Sequence, residues 1–434
     1  MTKKQAVKLV APNFDRIINI KPFLEKEFLR KGYKKYRNNF FMKIFYYVYI
    51  IKLRKVRVLF KFLKNIKFKF QDYDRKDLII FDCAGSSALE KLLSDLDFNL
   101  VSSRIDKIKE MYISKKILKY MIQNIFVRSL KENYLIALII SASPKLVITN
   151  NDNSPEFHNI SRVFIESNIK FIAVQCANRG DTVWKDLHES KKIHIPEFLC
   201  FSDFDKYIHQ WKKCDIKKYT SIGSLEASLA KDYIKSKDIL NNSENFDICL
   251  VSEFQPDLDG DWSHIKDFQD KLGQLTEYVH RLGKECELKI IFTGKSSKED
   301  REAEIIFYKN YIKNFEFQIS PLDQSKYSGY VNLIKSKLVI GFKSTILREA
   351  FLFKKKVLAC NLTGHKDIIF PSDGICNLNK DTSYEDFKTR VLSILKMSNE
   401  EYIKQLSKDK NYIMNTEINT QEFIKNRVNE ILQL

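Results

Sequence analysis

The feature that most constrains this chain is an alternation that begins at residue 77, in which short β-branched or apolar runs are separated by longer stretches with helical spacing. Runs that are apolar at nearly every position are buried on both faces, so they belong to parallel sheets covered by helices. The runs LIIFDC (78–83), LVSS (100–103), KLVITN (145–150), KFIAVQ (170–175), FLCF (198–201) and YTSIG (219–223) predict a first sheet, with helices over 112–140 and from 155 to about 166. The polar stretch 231–245, with its Asn-Asn-Ser turn signal, reads as a linker. The alternation then restarts with DICLV (247–251), LKIIF (288–292), FEFQI (315–319), LVIG (338–341) and VLAC (357–360). Helices are expected over 262–282, up to about 312, up to about 336 and over 345–353, and two more close the chain. The pattern predicts an α/β protein with two similarly sized Rossmann-like domains, 77–230 and 246–434, facing across a cleft. In such folds the site lies outside the carboxyl ends of the strands.

Charge is concentrated ahead of this body. Residues 1–75 hold 21 Lys and Arg against 5 Asp and Glu, a net +16, which leaves +3 of the total +19 for the other 359 residues. A protein that wraps nucleic acid spreads its basic residues over its folded domains, so no nucleic-acid partner is expected. The segment 1–76 instead reads as a basic, aromatic helical extension. Its string KIFYYVYIIKLRKVRVLFKFLKNIKFKF has the composition of a helix lying on an anionic membrane surface, or of a helix packed on the body with its charges solvated. Its longest apolar stretch, 40–51, is twelve residues with Lys43 inside it, far short of the ~20 that span a bilayer. The eight cysteines are scattered, without C-x-x-C or metal-ligand spacing, and there is no signal-peptide pattern at the start. Reduced thiols in the cytoplasm are expected, with the protein peripheral on the inner face of the membrane.

Several clusters carry chemistry. In GFKSTILREA (341–350) a buried strand ends in glycine, and Ser344 and Thr345 stand at the start of a helix whose first amides are placed to meet an anion. Lys343 adds a positive charge, and Glu349 is spaced to accept from a sugar hydroxyl; the plainer reading is a capped helix. Ser252 follows the first strand of the second half, and Lys295 in TGKSS (293–297) follows the next. Asp152 lies in the polar cluster NNDNSP (150–155), flanked by Asn151 and Asn153; an Asx-turn closing the strand is the alternative. His158, His194, Glu226 and Asp181 are further titratable candidates. The loop DLDGD (257–261) lacks the distal Glu of a calcium loop and reads as a polar loop, so no metal ligands are expected.

The order strand, G-x-x-S-T, x-x-x-E-A, then K-K-V-L resembles the donor domain of GT-B glycosyltransferases. It is similar in particular to the bacterial surface-carbohydrate group that includes the retaining Kdo transferases. In that group the S-T-x-x-x-E-A element holds the donor phosphate and sugar, which implies those roles for Ser344, Thr345 and Glu349, with Ala350 behind them. Tyr327, Ser328 and Tyr330 resemble the aromatic and hydroxyl segment just upstream. VITNNDN (147–153) with Phe157 is similar to a strand-then-D-N element, Gln175 with Asn178 and Arg179 to a Q-N-G-x-R turn from which Cys176 and Ala177 depart, and IGSL (222–225) to a closing G-S-L. A His-Pro element used by several CMP-sugar enzymes is absent, and Ser320-Pro321 stands in its place.

The resemblance implies transfer of a sugar from a nucleotide-sugar donor, CMP-Kdo-like or other, to a lipid-linked or surface polysaccharide acceptor. Such transfer passes through an oxocarbenium-like state that needs charge or amide dipoles at the leaving phosphate and a carboxylate near the anomeric carbon. Asp152 is the expected catalytic carboxylate. Ser252, Lys295, Lys343, Ser344, Thr345 and Glu349 are expected on the donor, and Asn151, Asn153, Gln175 and Arg179 on the acceptor. The scheme requires neither metal nor cofactor. The alternatives are a polyol-phosphate transferase of the teichoic-acid type, and a nucleic-acid-binding protein that uses its basic start.

Overall fold

The computed structural model describes residues 66–83, 85–104, 107–179, 193–238, 246–254, 267–294, 301–312, 318–319, 327–365, 368–379 and 382–433. The basic segment before residue 66, residues 239–245 of the linker, the loop 257–261, Asp181, Lys295 and Ser320-Pro321 lie outside these residues. The chain forms two compact units, one of residues 1–69 with 105–111, the other of 70–104 with 112–434.

In chain order the strands begin with β1 (Lys67–Lys69), β2 (Leu78–Phe81), β3 (Phe98–Val101), β4 (Glu110–Tyr112), β5 (Leu146–Thr149), β6 (Lys170–Val174), β7 (His194–Cys200) and β8 (Asp215–Ser221). They continue with β9 (Phe246–Val251), β10 (Ile290–Thr293), β11 (Gln318–Ile319), β12 (Ser336–Gly341), β13 (Lys356–Cys360) and β14 (Asn377–Leu378). In the first unit β1 pairs with β4. The second unit holds two six-stranded sheets, ordered β3-β2-β5-β6-β7-β8 and β11-β10-β9-β12-β13-β14. Every pairing in both is parallel. Counted within each half, these orders are 2-1-3-4-5-6 and 3-2-1-4-5-6, the doubly wound arrangements whose order reverses at β2/β5 and at β9/β12.

The central strands are buried throughout. Leu78, Ile79, Ile80, Phe81, Leu146, Val147 and Ile148 are closed to solvent in the first sheet, as are Ile248, Cys249, Leu338, Val339 and Ile340 in the second. A strand buried on both faces needs apolar residues at consecutive positions, which is why these runs do not alternate. One continuous apolar core joins Leu78 to Ile431 through both sheets. All eight cysteines are free thiols.

Several features depart from the sequence expectation. The first part of the stretch expected as a linker is helical, because residues 231–236 continue the helix Leu225–Ser236, which buries Ile234. Tyr112, expected in a helix, ends β4, and the helical stretch resolves into Lys115–Gln123 and Leu130–Ala142, separated by a turn. The helix expected over 345–353 is one α-turn, Thr345–Glu349, followed by a 3-10 turn, Ala350–Phe353. Four helices rather than two close the chain: Tyr384–Lys396, Asn399–Lys404, Lys410–Ile413 and Thr420–Gln433. The last of them returns to the first half. Thr420 Oγ1 donates to the Ile222 carbonyl, Arg427 Nη2 lies 2.7 Å from Glu197 Oε2, and Lys145 Nζ donates to the Leu432 carbonyl at 2.7 Å.

Candidate active site

Both clusters singled out in the sequence stand at the points where strand order reverses. In the second sheet, β9 runs into Ser252 and Glu253 while the neighbouring β12 runs into Phe342, Lys343 and Ser344. Glu253 Oε1 accepts from the backbone amides of Phe342 at 2.9 Å, Lys343 at 2.5 Å and Ser344 at 2.8 Å. The amides expected to meet a ligand anion therefore hold the carboxylate of the adjacent strand, which is itself buried. Ser344 Oγ makes no capping bond. Thr345 Oγ1 accepts from the Asn178 amide at 2.9 Å, so it faces the first half.

Ser252 is withdrawn behind the sheet. Its hydroxyl bonds Glu304 and lies 2.8 Å from the Tyr308 hydroxyl, and Arg301 Nη1 donates to Glu304 Oε2 at 3.1 Å. The donor contact expected of Ser252 is not open in this arrangement, because its oxygen serves a buried polar cluster.

Arg348 and Glu349 join the two halves. The Arg348 guanidinium, closed to solvent, donates to Asp205 Oδ1 and Oδ2, Ser202 Oγ, Asn178 Oδ1 and the Ile413 carbonyl. Burial raises the Asp205 carboxyl, but Arg348, aided by Gln175, outweighs it and holds Asp205 below its ordinary range. Glu349 Oε1 accepts from Ser224 Oγ at 2.5 Å and Oε2 from the Tyr330 hydroxyl at 2.9 Å. Burial pushes the Glu349 carboxyl up to about 7, against the pull of these two donors. Both oxygens expected to meet a sugar hydroxyl thus face protein hydroxyls, one from each half. The preceding Gly223 has φ +83°, and a Cβ there would lie 2.5 Å from the Asn415 carbonyl oxygen.

In the first half the reversal lies between β2 and β5. Asp82, at φ +67°, accepts from Ser103 Oγ at 2.6 Å and from Asn151 Nδ2 at 3.0 Å, while Asn150 Nδ2 reaches the Gly85 carbonyl at 3.4 Å. Asn151 and Asn153 are half-buried at this edge. Asp152 is not presented to the cleft. It is fully buried, with Arg179 Nε 2.9 Å from Oδ2 and Arg179 Nη2 on Oδ1, and Oδ1 also accepts from the Cys176 amide at 3.1 Å. Burial raises this carboxyl, but the Arg179 guanidinium overrides it and holds it low. A nucleophile or general base must offer an oxygen to the substrate, and here both oxygens are committed. Gln175 is also consumed internally: Nε2 donates to Asp205 and Oε1 accepts from the Phe201 amide at 2.9 Å. Gln175 and Arg179, expected on the acceptor, thus brace the turn that carries Asn178 to the second half.

His158 is buried beside this cluster, and burial lowers its pKa to about 4. His194 Nδ1 lies 2.7 Å from Asp215 Oδ2, at the opposite end of β7 from the cleft. Among the described residues no group of three or more His, Cys, Asp or Glu side chains could hold a metal ion. Sequence reasoning missed Asp205 and the pairing role of Arg348. The available signals were the capping box at Ser202–Asp205 and an arginine directly after the apolar pair Ile346-Leu347.

Residues 172–374 match the model of a family described as "putative O-antigen biosynthesis protein". No curated protein matches the chain. Among solved structures, the UDP-GlcNAc 2-epimerase of Neisseria meningitidis bound to UDP-GlcNAc is similar at 11% identity, covering 81% of this chain and 99% of its own, with a TM-score of 0.50. The Methanocaldococcus jannaschii UDP-GlcNAc 2-epimerase in complex with UDP-GlcNAc and UDP matches at 12% identity, 81% and 99% coverage and a TM-score of 0.49. A glycosyltransferase from Rickettsia africae matches at 14% identity, 83% and 100% coverage and a TM-score of 0.45. The fold is the two-domain, Rossmann-like GT-B arrangement.

Proposed function

We propose that the protein is a glycosyltransferase of cell-surface carbohydrate synthesis, moving a sugar from a nucleotide-sugar donor to a lipid-linked or polysaccharide acceptor. The observation that carries this reading is the position of the family match. Residues 172–374 run from β6 through the Gln175–Arg179 turn, Ser224 and Glu253 to the Ser344–Glu349 element, so they hold the β9/β12 reversal point together with the first-half residues Asn178 and Ser224 that bond to it. Transfer breaks the bond between the anomeric carbon and the phosphate, whose oxygen keeps the electron pair, and forms a bond from the acceptor hydroxyl, whose proton leaves to a base. Lys343, Ser344 and Lys295 supply the donor-phosphate contacts in this reading, and Asn151 and Asn153 face the acceptor. Asp152, Gln175, Arg179 and Glu349 position these walls, and neither metal nor cofactor enters the scheme. The basic segment 1–75 adds a peripheral hold on the inner face of the cytoplasmic membrane.

The test is a thermal-shift screen against CMP, UDP, GDP and ADP and their sugar conjugates, with short DNA and RNA as controls. A ligand at 100 times its dissociation constant stabilises by ~2.7 kcal/mol, enough to move the transition visibly. A selective response to one nucleotide, followed by its release only when an acceptor is present, is expected. Conversion of the nucleotide sugar without an acceptor would replace the reading with an epimerase. A salt-sensitive response to DNA or RNA alone would overturn it.

A further inference from the structure

The helical hairpin of Lys115–Gln123 and Leu130–Ala142 ends in an apolar tip that the rest of the described chain leaves uncovered. Phe126 is 99% exposed, Ile122 68%, Val127 64% and Leu130 63%, with Ile125 beside them. Isolated exposed apolar residues are ordinary, but a contiguous group of large ones at one tip marks an interaction surface. The tip is rimmed by positive charge. Lys119 stands exposed one turn before the tip on the first helix, and Arg128 follows it. A groove of about 580 Å³ beside it is lined by Phe126, Val127, Arg128, Asn159 and Arg162. The nearest acid, Glu132, is engaged by Ser129 and by Asn159 Nδ2 at 2.6 Å.

We propose that this tip inserts into the interface of an anionic lipid bilayer, with Phe126, Ile122 and Val127 among the acyl chains and Arg128, Arg162 and Lys119 at the headgroups. Charge selects the occupant. The chain's own segment 1–75 is apolar enough to cover the tip, but at +16 it carries the same sign as the rim. A polynucleotide would satisfy the cations and leave a fully exposed phenylalanine without a use, whereas an anionic bilayer satisfies both. Among the described residues no helix is long and apolar enough to cross a membrane, so the contact is interfacial. The hairpin also has a fixed orientation. Its second helix leads into β5, and its amino-terminal end bonds the start of Pro155–Val163, where Lys131 pairs with Glu156. The tip therefore lies at the carboxyl end of the first sheet, the end that carries Asn151 and Asn153, and a tip in the bilayer turns that edge toward the lipid surface.

The test uses the full chain and needs no substrate. Phe126→Trp is bound to phosphatidylcholine vesicles containing 30% phosphatidylglycerol and brominated acyl chains, in parallel with the parent protein. Quenching beyond the parent's is expected from the introduced indole, together with a blue shift of its emission. In flotation, Ile122→Asp with Phe126→Asp should lower partitioning at least tenfold with the melting temperature unchanged, since both side chains already stand in solvent. Vesicle-bound Phe126→Trp protein that shows no quenching beyond the parent's would overturn the proposal, as would an acidic pair that partitions like the parent. The same quenching on pure phosphatidylcholine would overturn the role given to Arg128, Arg162 and Lys119. None of these readouts depends on glycosyl transfer, so failure here and failure of the transferase reading are separable.

Discussion

Arg348 and Asp205 face one another as a doubly bonded ion pair closed to solvent, Nη1 to Oδ1 at 2.9 Å and Nη2 to Oδ2 at 2.6 Å. The arginine belongs to the second half and the aspartate to the first, 143 residues earlier. The planar fork of a guanidinium suits this geometry, and its remaining donors reach Ser202, Asn178 and the Ile413 carbonyl.

Arg348→Ala leaves Asp205 buried without a counter-charge. A loss of about 3–5 kcal/mol is expected in urea unfolding. Arg348→Lys keeps the charge but cannot span five acceptors, so it should fall between the parent and the alanine variant.

The Asp152–Arg179 pair sets the acid side of the stability profile. The folded carboxyl titrates below its unfolded value of about 4, so its contribution is present above that value and is lost as pH falls through the lower folded one. Asp205 acts in the same direction. Unfolding free energy measured from pH 6 to pH 2 should decline, and more shallowly in Asp152→Asn than in the parent. An Asp152→Asn protein that keeps the parent's slope would remove the pair from this role. If the variant binds donor normally but turns over at a rate near the parent's, Asp152 is positioning rather than reactive.

Glu349 has the opposite sign. With its folded pKa raised to about 7, the protonated form is the one the fold favours, so its contribution is present below about 4.5 and is lost as pH rises toward 7. Glu349→Gln mimics the protonated carboxyl between Ser224 and Tyr330. It should match the parent near pH 4.5 and exceed it by up to roughly 3 kcal/mol at pH 8, which paired denaturation curves would reveal.

Gly223→Ala meets both a left-handed backbone and the Asn415 carbonyl oxygen at 2.5 Å. Backbone cannot move aside as a flexible side chain can. A cost of about 1–3 kcal/mol or more is expected in urea unfolding, together with reduced donor affinity, because Ser224 follows directly.

The sheets were legible because a parallel strand buried on both faces writes itself as an unbroken apolar run, as in LIIF and LVIG. Where a strand carries polar residues, the signal shortens. β7 begins at His194 rather than Phe198 because Glu197 inside it is matched by Arg427, 230 residues away. β4 and β14 are short and lack an apolar run of their own. The polar clusters noticed in the sequence lie at both reversal points, because each follows an apolar strand run directly. Their roles were not legible. Whether Asp152, Gln175 or the amides after Gly341 meet a ligand or the chain itself depends on partners that only folding brings together, such as Glu253 for Ser344 and Ser224 for Glu349. The basic segment 1–65 lies outside the described residues.

The return of the last helix to the first half has a consequence for how the protein is made. Lys145, Glu197 and the Ile222 carbonyl wait on a helix that leaves the ribosome after every other described element. The first half therefore cannot close its own surface until the residues from 420 onward have been made, although its sheet is complete some two hundred residues earlier. Its final consolidation waits for this helix, and a nascent chain stalled before residue 420 exposes the flank that this helix covers to whatever chaperones attend it.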